Sequence, residues 1–577
     1  MWLQHNKPSS GDIYRDMCLS RRKFKSKLKY CQNNQVQIKM DMIAKSHETK
    51  QFSKFWKLTN NLNHRPGIPV SVAGVSAPTE IANAFLEHFK IQSTSIVTAD
   101  TNCVCTEAIV RGGRPVRFSA KQIAKVIQNM TRGKSPGHDG LSIEHLKYAG
   151  GHLPRVLSMF FNLCISHSYL PAELTKTIVV PIIKNKTADA SDISNYRPIS
   201  LATVIAKILD SLVDTILAKH IVLEDGQFGF RPNLSTESAI LCLKQTVQYY
   251  TNRKTPIIAC FLDLSKAFDL VNYNLLWHKL AHDTSVPDDI ISLLKFWYSR
   301  QSNTVKWAGS YSDSFGLECG VRQGGLSSPR LFNPYINKLI SELNKAKTGC
   351  HIDGVSVNNI SYADDMVLLS PSVSAMRQLL KICESYAAAH GLKYNTTKSE
   401  WIVFKSGSEG YKHMADLSLS GSPLVRVQKF KYLGHWVTES MKDNVDIDRE
   451  RRSLAVRCNM LARRFARCTE AVKITLFKSF CQSFYTCSLW TNFSQRAYND
   501  LRVQYNNTLR MLLGLPWRCS ASSMFAEARV DGFAAIMRKR CASMLARLRS
   551  SSNSILRVFT DRWDSPLLHR WITIHCV

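Results

Sequence analysis

The chain has 577 residues and a formal net charge of +32, with 76 Lys and Arg against 44 Asp and Glu. This length exceeds that of one compact core and predicts several folding units, which excludes a small binding module. Because 45% of the residues are hydrophobic and only 21% are charged, a disordered polybasic tail is also excluded, and a folded protein that binds a polyanion such as nucleic acid is favoured.

The positive charge is concentrated at the two ends of the chain. Residues 1–66 carry a net charge of +10, residues 441–577 carry +13, and the 374 residues between them carry +9. Basic ends around a nearly balanced middle fit a catalytic core that needs its own acidic residues and contacts nucleic acid through its flanks. Solvated, lysine-rich helix surfaces are the alternative explanation of the same charge.

Apolar periodicity and capping residues predict the elements in chain order. A helix is predicted to start at its N-cap Ser119 and to stop at Gly133, and a later helix is predicted to close at Gly391. The long helical patterns cover residues 199–221, 236–250 and 374–390, and strands are predicted at 178–183 and 257–263 and in a hairpin at 358–369. Residues from about 444 onward are predicted to be almost entirely helical.

The 17 cysteines indicate neither a metal site nor a disulfide framework. They are scattered, no Cys-x-x-Cys pair occurs, and no Cys/His cluster completes a structural zinc site. The N-terminus has no signal-peptide pattern, and no apolar run approaches the roughly 18 residues of a membrane span. We therefore expect a reduced, intracellular protein with no membrane partner.

Two predicted strands end in aspartate, one at Asp263 and the other at Asp364 and Asp365. Buried, unpaired carboxylates repel one another unless a cation lies between them. Oxygen ligands of this kind suit Mg²⁺, and two such ions can activate a 3′-hydroxyl and stabilise a leaving pyrophosphate. Since neighbours on a strand face opposite sides, we expect Asp263 and Asp364 to bind metal directly and Asp365 to support them. An isolated Asp pair in a hairpin can also be no more than a turn.

Eight blocks follow one another along the chain: KSPGHDG (134–140), NYRPIS (195–200), QFGFR (227–231), FLDLSKAFD (261–269), GVRQGG (320–325), SYADD (361–365), GLKYNTTKSE (391–400) and FKYLG (430–434). In order and spacing they resemble the blocks of reverse transcriptases from non-LTR (LINE-type) retrotransposons. The likeness covers roughly residues 120–440, and eight ordered blocks are far more specific than any one of them.

The resemblance implies an α+β fold with the right-hand polymerase architecture of fingers, palm and thumb, and a mostly helical C-terminal part. It divides the chain into a basic helical N-terminal linker (1–66), a connecting segment (67–118), fingers with the start of the palm (119–255), a palm (256–420), a primer grip with a helical thumb (421–520), and a basic helical C-terminal extension (521–577).

The resemblance also implies roles for individual residues. Asp263, Asp364 and Asp365 would hold two Mg²⁺ ions, for which Mn²⁺ can substitute, and Lys398 would be a general acid for the pyrophosphate. The implied nucleotide-binding residues are Lys184, Arg197, Leu264, Phe268, Gln323 and Gly324, and the implied primer grip is Phe430, Tyr432, Leu433 and Gly434. Phe268 would exclude a 2′-hydroxyl. Taken alone, Phe268 would be a core aromatic and Lys398 an exposed lysine.

The implied function is an RNA-directed DNA polymerase that extends a DNA 3′-hydroxyl on an RNA template with dNTPs, as in target-primed retrotransposition. Its expected location is a nuclear or cytoplasmic ribonucleoprotein, and its protein partners are left open. The chain begins inside what resembles the basic linker that precedes such polymerases, so the N-terminal endonuclease of many members is expected to be missing.

Two residues depart from the family pattern. Ser327 stands where most members have an apolar residue, and Pro334 would delete a hydrogen bond inside a helix and bend it. These departures keep open the hypothesis of a catalytically inactive, truncated or domesticated protein that only binds nucleic acid. An intron-type maturase with the same fold is a third hypothesis, which details of the block at 263–269 disfavour.

Overall fold

A computed structural model describes residues 9–62, 67, 69–91, 115–185, 187–407, 414–560, 562 and 565–575. Its contacts divide the chain into two compact units, each built from separate stretches of sequence. The first unit contains residues 1–67, 442–544 and 567–577, and the second contains residues 68–441 and 545–566. Within the described ranges, no helix is long and apolar enough to cross a bilayer. Residues 68 and 92–114 of the predicted connecting segment lie outside the described residues.

The first unit begins with the helices α1 (Asp12–Asn33), α2 (Gln35–Glu48) and α3 (Phe52–Asn61). None of the residues of α1 is buried. In contrast, α2 and α3 bury Met40, Ile43 and Phe55 in a hydrophobic core that they share with helices after residue 442. The predicted linker is therefore helical, and its second half is part of a packed unit.

The second unit begins with helices that lead into a sheet. Its elements are α4 (Pro78–Phe89), α5 (Ala120–Asn129), α6 (Ile143–Tyr148), α7 (Leu153–Ser166), α8 (Ala172–Thr175), β1 (Lys176–Ile183), β2 (Tyr196–Ala202), α9 (Val204–His220) and α10 (Thr236–Thr251). As predicted, Ser119 caps α5, and a reciprocal bond with Gln122 completes a capping box. β1 and β2 pair antiparallel.

One helix boundary differs from the prediction. Residues 199–202 belong to β2, and α9 begins only at Val204. The Thr203 side chain accepts a hydrogen bond from the Ala206 N–H at 3.2 Å, so Thr203 is the N-cap. The apolar pattern of 199–221 is continuous because both the strand and the helix are partly buried, and periodicity alone cannot divide them.

The middle of the second unit contains the principal sheet. Its elements are β3 (Ile257–Leu262), α11 (Tyr273–His282), α12 (Asp288–Ser299), β4 (Ser302–Trp307), β5 (Ser310–Phe315), α13 (Ser328–Lys345), β6 (His351–Ile352), β7 (Val355–Ser356), β8 (Asn359–Tyr362), β9 (Asp365–Ser370) and α14 (Val373–His390). The remaining strands are β10 (Glu400–Phe404), β11 (Ser418–Leu419), β12 (Ser422–Pro423), β13 (Val425–Arg426), β14 (Lys429–Tyr432) and β15 (His435–Thr438).

Two sheets position the residues of interest. The five-stranded sheet has the order β13-β10-β3-β9-β8, and the four-stranded sheet has the order β2-β1-β4-β5. β3 is buried along its whole length and pairs antiparallel with both β10 and β9. It contacts α10 and α14, and α14 ends as predicted at Gly391, which has a φ of 66°. A fully buried central strand holds its carboxyl end in a fixed place.

The C-terminal part of the chain is helical, as predicted. Its helices are α15 (Asn444–Arg464), α16 (Glu470–Cys481), α17 (Gln495–Leu513), α18 (Ala521–Glu527), α19 (Phe533–Arg549), α20 (Ser554–Thr560) and α21 (Pro566–His575). α15, α16 and α17 pack on one another in the first unit. Residues 545–566 belong instead to the second unit, where α20 contacts α10 and β7. The predicted domain boundaries therefore differ from the limits of the two units.

Candidate active site

Three aspartates lie together at one edge of the five-stranded sheet. Asp263 directly follows β3, Asp364 lies in the turn between β8 and β9, and Asp365 is the first residue of β9. Leu262 pairs with Met366 across β3 and β9, so Asp263 and Asp365 are adjacent at the end of this strand pair. The sheet therefore brings together the three acidic residues that the sequence singled out.

The hairpin that carries two of these aspartates has a two-residue loop. Tyr362 pairs with Asp365, which leaves Ala363 and Asp364 between the strands. Ala363 has a φ of 60°, in the left-handed region that a side chain other than that of glycine rarely adopts. Two-residue hairpins favour such a backbone because it matches the twist of the strands. The turn at Ala363 thus separates the directions of two aspartates that are neighbours in sequence.

The three carboxyl groups influence one another electrostatically. Burial raises the pKa of Asp364, and the nearby charge of Asp263 raises it further. Asp365 is open to solvent on one side, but partial desolvation by the surrounding protein, together with the charges of Asp364 and Asp263, raises its pKa from 3.8 to about 6. Carboxylates that repel one another in this way are stabilised by a cation placed between them.

The donor set fits a divalent cation. Asp263 and Asp365 line a small cavity of about 100 Å³ together with Lys398. In the part of the chain that the structure describes, no three His, Cys, Asp or Glu side chains converge as a complete protein cage for a metal. Mg²⁺ usually takes only one or two carboxylates and completes its shell with waters and substrate phosphates, so an open carboxylate edge suits it.

The backbone of Asp263 is held from both sides by the segment that carries Lys398. The Asn395 N–H donates to the Asp263 carbonyl oxygen at 2.8 Å. The Asp263 N–H donates to Oγ of the fully buried Ser399 at 3.1 Å. Lys398, between these two contacts, is exposed and lines the same cavity as Asp263. The fold therefore places the predicted general acid next to the carboxylates.

A group of cations lies near the aspartates. Lys184 follows β1, and its Nζ donates to the Ser194 carbonyl oxygen at 2.8 Å. Burial lowers the pKa of Lys184, and the charges of Arg197, Lys398 and Lys266 lower it further. Arg197 is exposed on β2, and its charge acts on Asp364 as well. The cation group therefore consists of four side chains, Lys184, Arg197, Lys266 and Lys398. Such a concentration of positive charge beside three carboxylates is suited to an anionic ligand such as a triphosphate.

Phe268 is part of a group of three aromatic rings. Its ring stacks on that of Phe332, with centroids 4.4 Å apart and planes 18° apart. The exposed ring of Phe230 meets it edge-on at 6.3 Å. Phe268 is only half-buried, so it is not a plain core residue. The side chain of Leu264, in contrast, is buried in the hydrophobic core of the unit, and the structure does not bring it to the surface of the site.

The loop with Gln323 and Gly324 connects two parts of the site. The Gln323 carbonyl oxygen accepts a hydrogen bond from the Ser200 N–H at 2.8 Å, and its Nε2 donates to Asp269 Oδ1 at 2.8 Å. Gly324 has a φ of 105°, and a Cβ there would lie 3.2 Å from the Ser200 carbonyl oxygen. The backbone at position 324 therefore favours glycine, and a side chain there would also crowd Ser200.

The predicted primer grip is the β14–β15 hairpin. Phe430 stacks on Phe261 of β3, with ring centroids 3.9 Å apart and planes 12° apart. Tyr432 is buried next to the same ring. Leu433 and Gly434 form the two-residue loop, with φ values of 46° and 85°, as hairpins of this length favour. The stack fixes the hairpin against the strand that ends in Asp263.

The two departures from the family pattern have structural explanations. Ser327 is fully buried, and its Oγ donates to Asp210 Oδ1 at 2.5 Å, while the Leu326 N–H donates to Asp210 Oδ2 at 2.7 Å. A hydroxyl at this position is therefore paired with a buried carboxylate. Pro334 is buried inside α13, and the helix continues through it to Lys345. The proline removes one helix hydrogen bond without ending the helix.

Comparison with known families identifies the segment in which these residues lie. Residues 183–437 match the family described as reverse transcriptase (RNA-dependent DNA polymerase). These residues form a reverse transcriptase domain. The segment includes the aspartates, the cations, the aromatic group and the β14–β15 hairpin described above.

Relatives of this reverse transcriptase domain come from mobile elements. The RNA-directed DNA polymerase from mobile element jockey of Drosophila funebris is 22% identical and covers 77% of this chain and 50% of its own. The putative 115 kDa protein in the type-1 retrotransposable element R1DM of Drosophila melanogaster is 26% identical and covers 57% and 31%. The chain thus spans about half the length of these relatives, or less. The resemblance to non-LTR reverse transcriptases is confirmed.

A solved structure of apo telomerase from Candida tropicalis is 14% identical, with a TM-score of 0.36 over 73% of this chain and 70% of that one. This likeness is too weak to carry an argument. The α+β polymerase fold class is confirmed by the match to the reverse transcriptase family together with the strands and helices described above.

Some residues of the reverse transcriptase domain escaped the sequence analysis. Lys266 belongs to the cation group, but the family resemblance assigns roles in the block at 261–269 only to Asp263, Leu264 and Phe268. Ser399 and Asn395 hold the Asp263 backbone, a contact between segments more than 100 residues apart that no local pattern signals. Burial raises the pKa of Asp269, and its Oδ1 accepts a hydrogen bond from Gln323 Nε2. The feature of the sequence that indicates these residues is their position within the family blocks at 261–269 and 391–400.

Proposed function

We propose that the chain is an RNA-directed DNA polymerase that adds dNTPs to a DNA 3′-hydroxyl on an RNA template, as in target-primed retrotransposition. The observation that carries the proposal is the meeting of Asp263, Asp364 and Asp365 at one sheet edge, beside a group of cations, inside a reverse transcriptase domain. An oxygen donor set for divalent metal next to fixed positive charge is the arrangement that nucleotidyl transfer needs.

Two Mg²⁺ ions, or Mn²⁺ as a substitute, would be held by Asp263 and Asp364 with Asp365 in support, and when bound they supply charge stabilisation for an in-line displacement. The protein itself contributes rigidity. Asp263 is fixed through its backbone by Asn395 and Ser399, and Asp365 is fixed by the pairing of β9 with β3. Carboxylates that do not have to change position when the substrate binds are more effective as metal ligands.

Lys184 and Arg197 would bind the triphosphate of the incoming nucleotide. In the displacement the 3′-hydroxyl loses its proton to water, its oxygen forms a bond to the α-phosphorus, and the bond from that phosphorus to the pyrophosphate oxygen breaks. Lys398, in the cavity next to Asp263 and Asp365, is placed to give a proton to that leaving oxygen. Burial lowers the pKa of Lys184 and the like charges around it lower it further, and an anionic ligand would offset that repulsion.

Selection of the nucleotide would depend on Phe268 and on the loop at Gln323. The Phe268 ring is supported from behind by Phe332, so it cannot retreat freely from a bulkier sugar. A ring fixed in this way can exclude a 2′-hydroxyl and favour deoxynucleotides. The close backbone approach at Gly324 would let the loop lie along the new base pair.

The β14–β15 hairpin would hold the primer end through Phe430, Tyr432, Leu433 and Gly434. Its stack on Phe261 ties the position of a primer to the strand that ends in Asp263. The basic flanks would hold RNA template and DNA primer through their phosphates, so binding should be salt-dependent and tolerant of sequence. We place the protein in a nuclear or cytoplasmic ribonucleoprotein.

The test is primer extension on an RNA template with dNTPs and Mg²⁺. The wild type is compared with Asp364→Asn, and duplex binding is measured in parallel. We expect extension by the wild type and a loss of at least about 100-fold in the variant, since a group acting on the transition state is removed. Equal and negligible extension by both proteins, with duplex binding intact, would instead establish the alternative of an inactive nucleic-acid-binding protein.

A further inference from the structure

The side chain of Gln227 is enclosed completely and contacts the hairpin that carries Asp364. It is fully buried. Its Oε1 accepts a hydrogen bond from the Ala363 N–H at 2.9 Å, and its Nε2 donates to the Ala363 carbonyl oxygen at 3.4 Å. One amide group therefore pairs with both backbone groups of the residue that precedes Asp364.

Ala363 is the residue of this loop whose backbone most needs support. Its φ of 60° lies in the left-handed region, which is unfavourable for alanine. Such conformations persist only when surrounding contacts over-determine them, and they are common where catalytic groups are aimed. The paired contacts from Gln227 fix the two peptide groups on either side of the Ala363 α-carbon, and hence the direction in which the chain enters Asp364.

Backbone contacts place Gln227 accurately against the hairpin. The Phe228 N–H donates to the Ser361 carbonyl oxygen at 2.7 Å, and the Ser361 N–H donates to the Gly226 carbonyl oxygen at 2.8 Å. Gly229 lies so close to the loop that a Cβ there would be 2.3 Å from the Ala363 nitrogen. Its N–H also donates to Gln227 Oε1 at 2.9 Å, which fixes the amide in one orientation. Segment 226–229 therefore lies beside β8 and its loop, joined to β8 by a single parallel bridge between Gln227 and Ser361.

We propose that Gln227 is a positioning residue for the metal-binding aspartates. Through Ala363 it holds Asp364 in the direction needed to share a cation with Asp263. The inference rests on the proposed polymerase function, which needs that cation, but it concerns the geometry of the carboxylates. Residues that orient metal ligands from behind typically change metal affinity by about 10- to 100-fold when they are lost.

The test compares Gln227→Met, which keeps the length of the side chain and loses both polar groups, with Gln301→Met as a matched control. Gln301 is also a buried glutamine of the second unit, and its Nε2 donates to Asn303 Oδ1, away from the aspartates. Binding of Mn²⁺ is followed by electron paramagnetic resonance without template or nucleotide. We expect the Mn²⁺ dissociation constant to rise about 10- to 100-fold in Gln227→Met and to stay within about twofold of wild type in Gln301→Met.

Primer extension then separates this inference from the proposed function. In Gln227→Met, kcat should fall by a similar factor while the dissociation constant for template–primer is unchanged. If the wild type binds Mn²⁺ but extends no primer, the polymerase proposal fails and the Mn²⁺ comparison still decides the role of Gln227. Wild-type Mn²⁺ affinity in folded Gln227→Met would overturn the inference.

A double variant covers the case in which Gln227→Met does not fold. Glycine adopts a φ of about 60° at little cost, so Ala363→Gly should make the loop less dependent on Gln227. We expect Gln227→Met with Ala363→Gly to fold and to recover Mn²⁺ binding to within about tenfold of wild type. Failure of the double variant to fold, or no gain in Mn²⁺ affinity over the single variant, would show that Gln227 serves the core in general and would overturn the inference.

Discussion

Asn553 and Asp225 are joined by hydrogen bonds although they are 328 positions apart in the chain. The Asn553 Nδ2 donates to the Asp225 carbonyl oxygen at 2.8 Å and to its Oδ1 at 3.3 Å. The Ser554 N–H donates to Asp225 Oδ2 at 2.9 Å. Asp225 immediately precedes the segment that contacts the aspartate hairpin, so residues 553 and 554, near the C-terminal end of the chain, support the region from which that hairpin is held.

The first prediction concerns this link. Asn553 is buried, and Asn553→Ala removes its hydrogen bond to the Asp225 carbonyl oxygen and the acceptor of the buried Leu556 N–H, which should lower the free energy of unfolding by about 1–3 kcal/mol. Urea unfolding of the full chain measures the loss. Ser552→Ala is the control, because Ser552 is exposed and should change the free energy by no more than about 0.5 kcal/mol. Equal midpoints for the two variants would contradict a supporting role for Asn553.

The second prediction concerns pH. Asp365 has a pKa of about 6 in the folded protein against 3.8 for the free side chain. Between these values the folded state retains a proton that the unfolded state has lost, so the metal-free protein should become less stable as pH rises from about 4 to 6. Above pH 6 this contribution is constant. Thermal unfolding with a chelator measures it as the difference between wild type and Asp365→Asn, in which this part of the slope should be absent.

The pKa of Asp364 is also raised, which gives the same direction of change. Divalent metal should reverse the trend, because it binds the deprotonated carboxylates and so stabilises the protein more at pH 7 than at pH 5. A wild type whose stability rises between pH 4 and 6 more steeply than that of Asp365→Asn would contradict the assigned sign.

The third prediction concerns nucleotide selection. Phe268→Ala should raise ribonucleotide incorporation relative to deoxynucleotide incorporation by about tenfold or more, since shape discrimination in a pocket covers roughly 10- to 200-fold. The ratio of kcat/KM for the two nucleotides measures the change. Phe296→Ala removes another partly buried ring, one that packs on Tyr169 away from the site, and should leave the ratio unaltered. An unchanged ratio in Phe268→Ala would remove Phe268 from the selection of sugars.

The fourth prediction concerns Ser327. Ser327→Ala deprives the buried Asp210 of its hydroxyl partner without adding volume to a fully buried position, and it should lower the free energy of unfolding by about 1–3 kcal/mol. Thr215→Val on the exposed face of α9 serves as the comparison and should have little effect. If Ser327→Ala proved as stable as wild type, the hydroxyl would not explain why this position is polar.

The sequence predicts those features of the fold that depend on local pattern. The buried strand before Asp263, the hairpin around Asp364 and the helix closed by Gly391 all occur where composition and capping residues indicate. The aspartates are predictable as a group because two apolar strands that end in acid suggest a shared edge. In the family blocks, the residue types that suggest a chemical role are also the residues that the fold brings to the candidate site.

The rest depends on contacts between distant segments. The hydrogen bonds that join Asn395 and Ser399 to Asp263, and Ser327 to Asp210, connect residues 117 to 136 positions apart, a range that no local sequence pattern covers. The sequence does not predict the strand at 199–202, because the apolar pattern continues without a break from this strand into α9. The doubt about Pro334 arose from a sound local rule, but the packing around α13 maintains the helix through it.

The division of the chain into interleaved units has a consequence for biosynthesis. The second unit contains the aspartates, yet it also contains residues 545–566, so it is completed only after residues 442–544 of the first unit have been made. At 5–20 residues per second, the roughly 200 residues between the aspartate hairpin and residue 566 take on the order of 10 to 40 seconds to synthesise. During that interval the aspartate hairpin has been synthesised while the second unit, to which it belongs, is still incomplete.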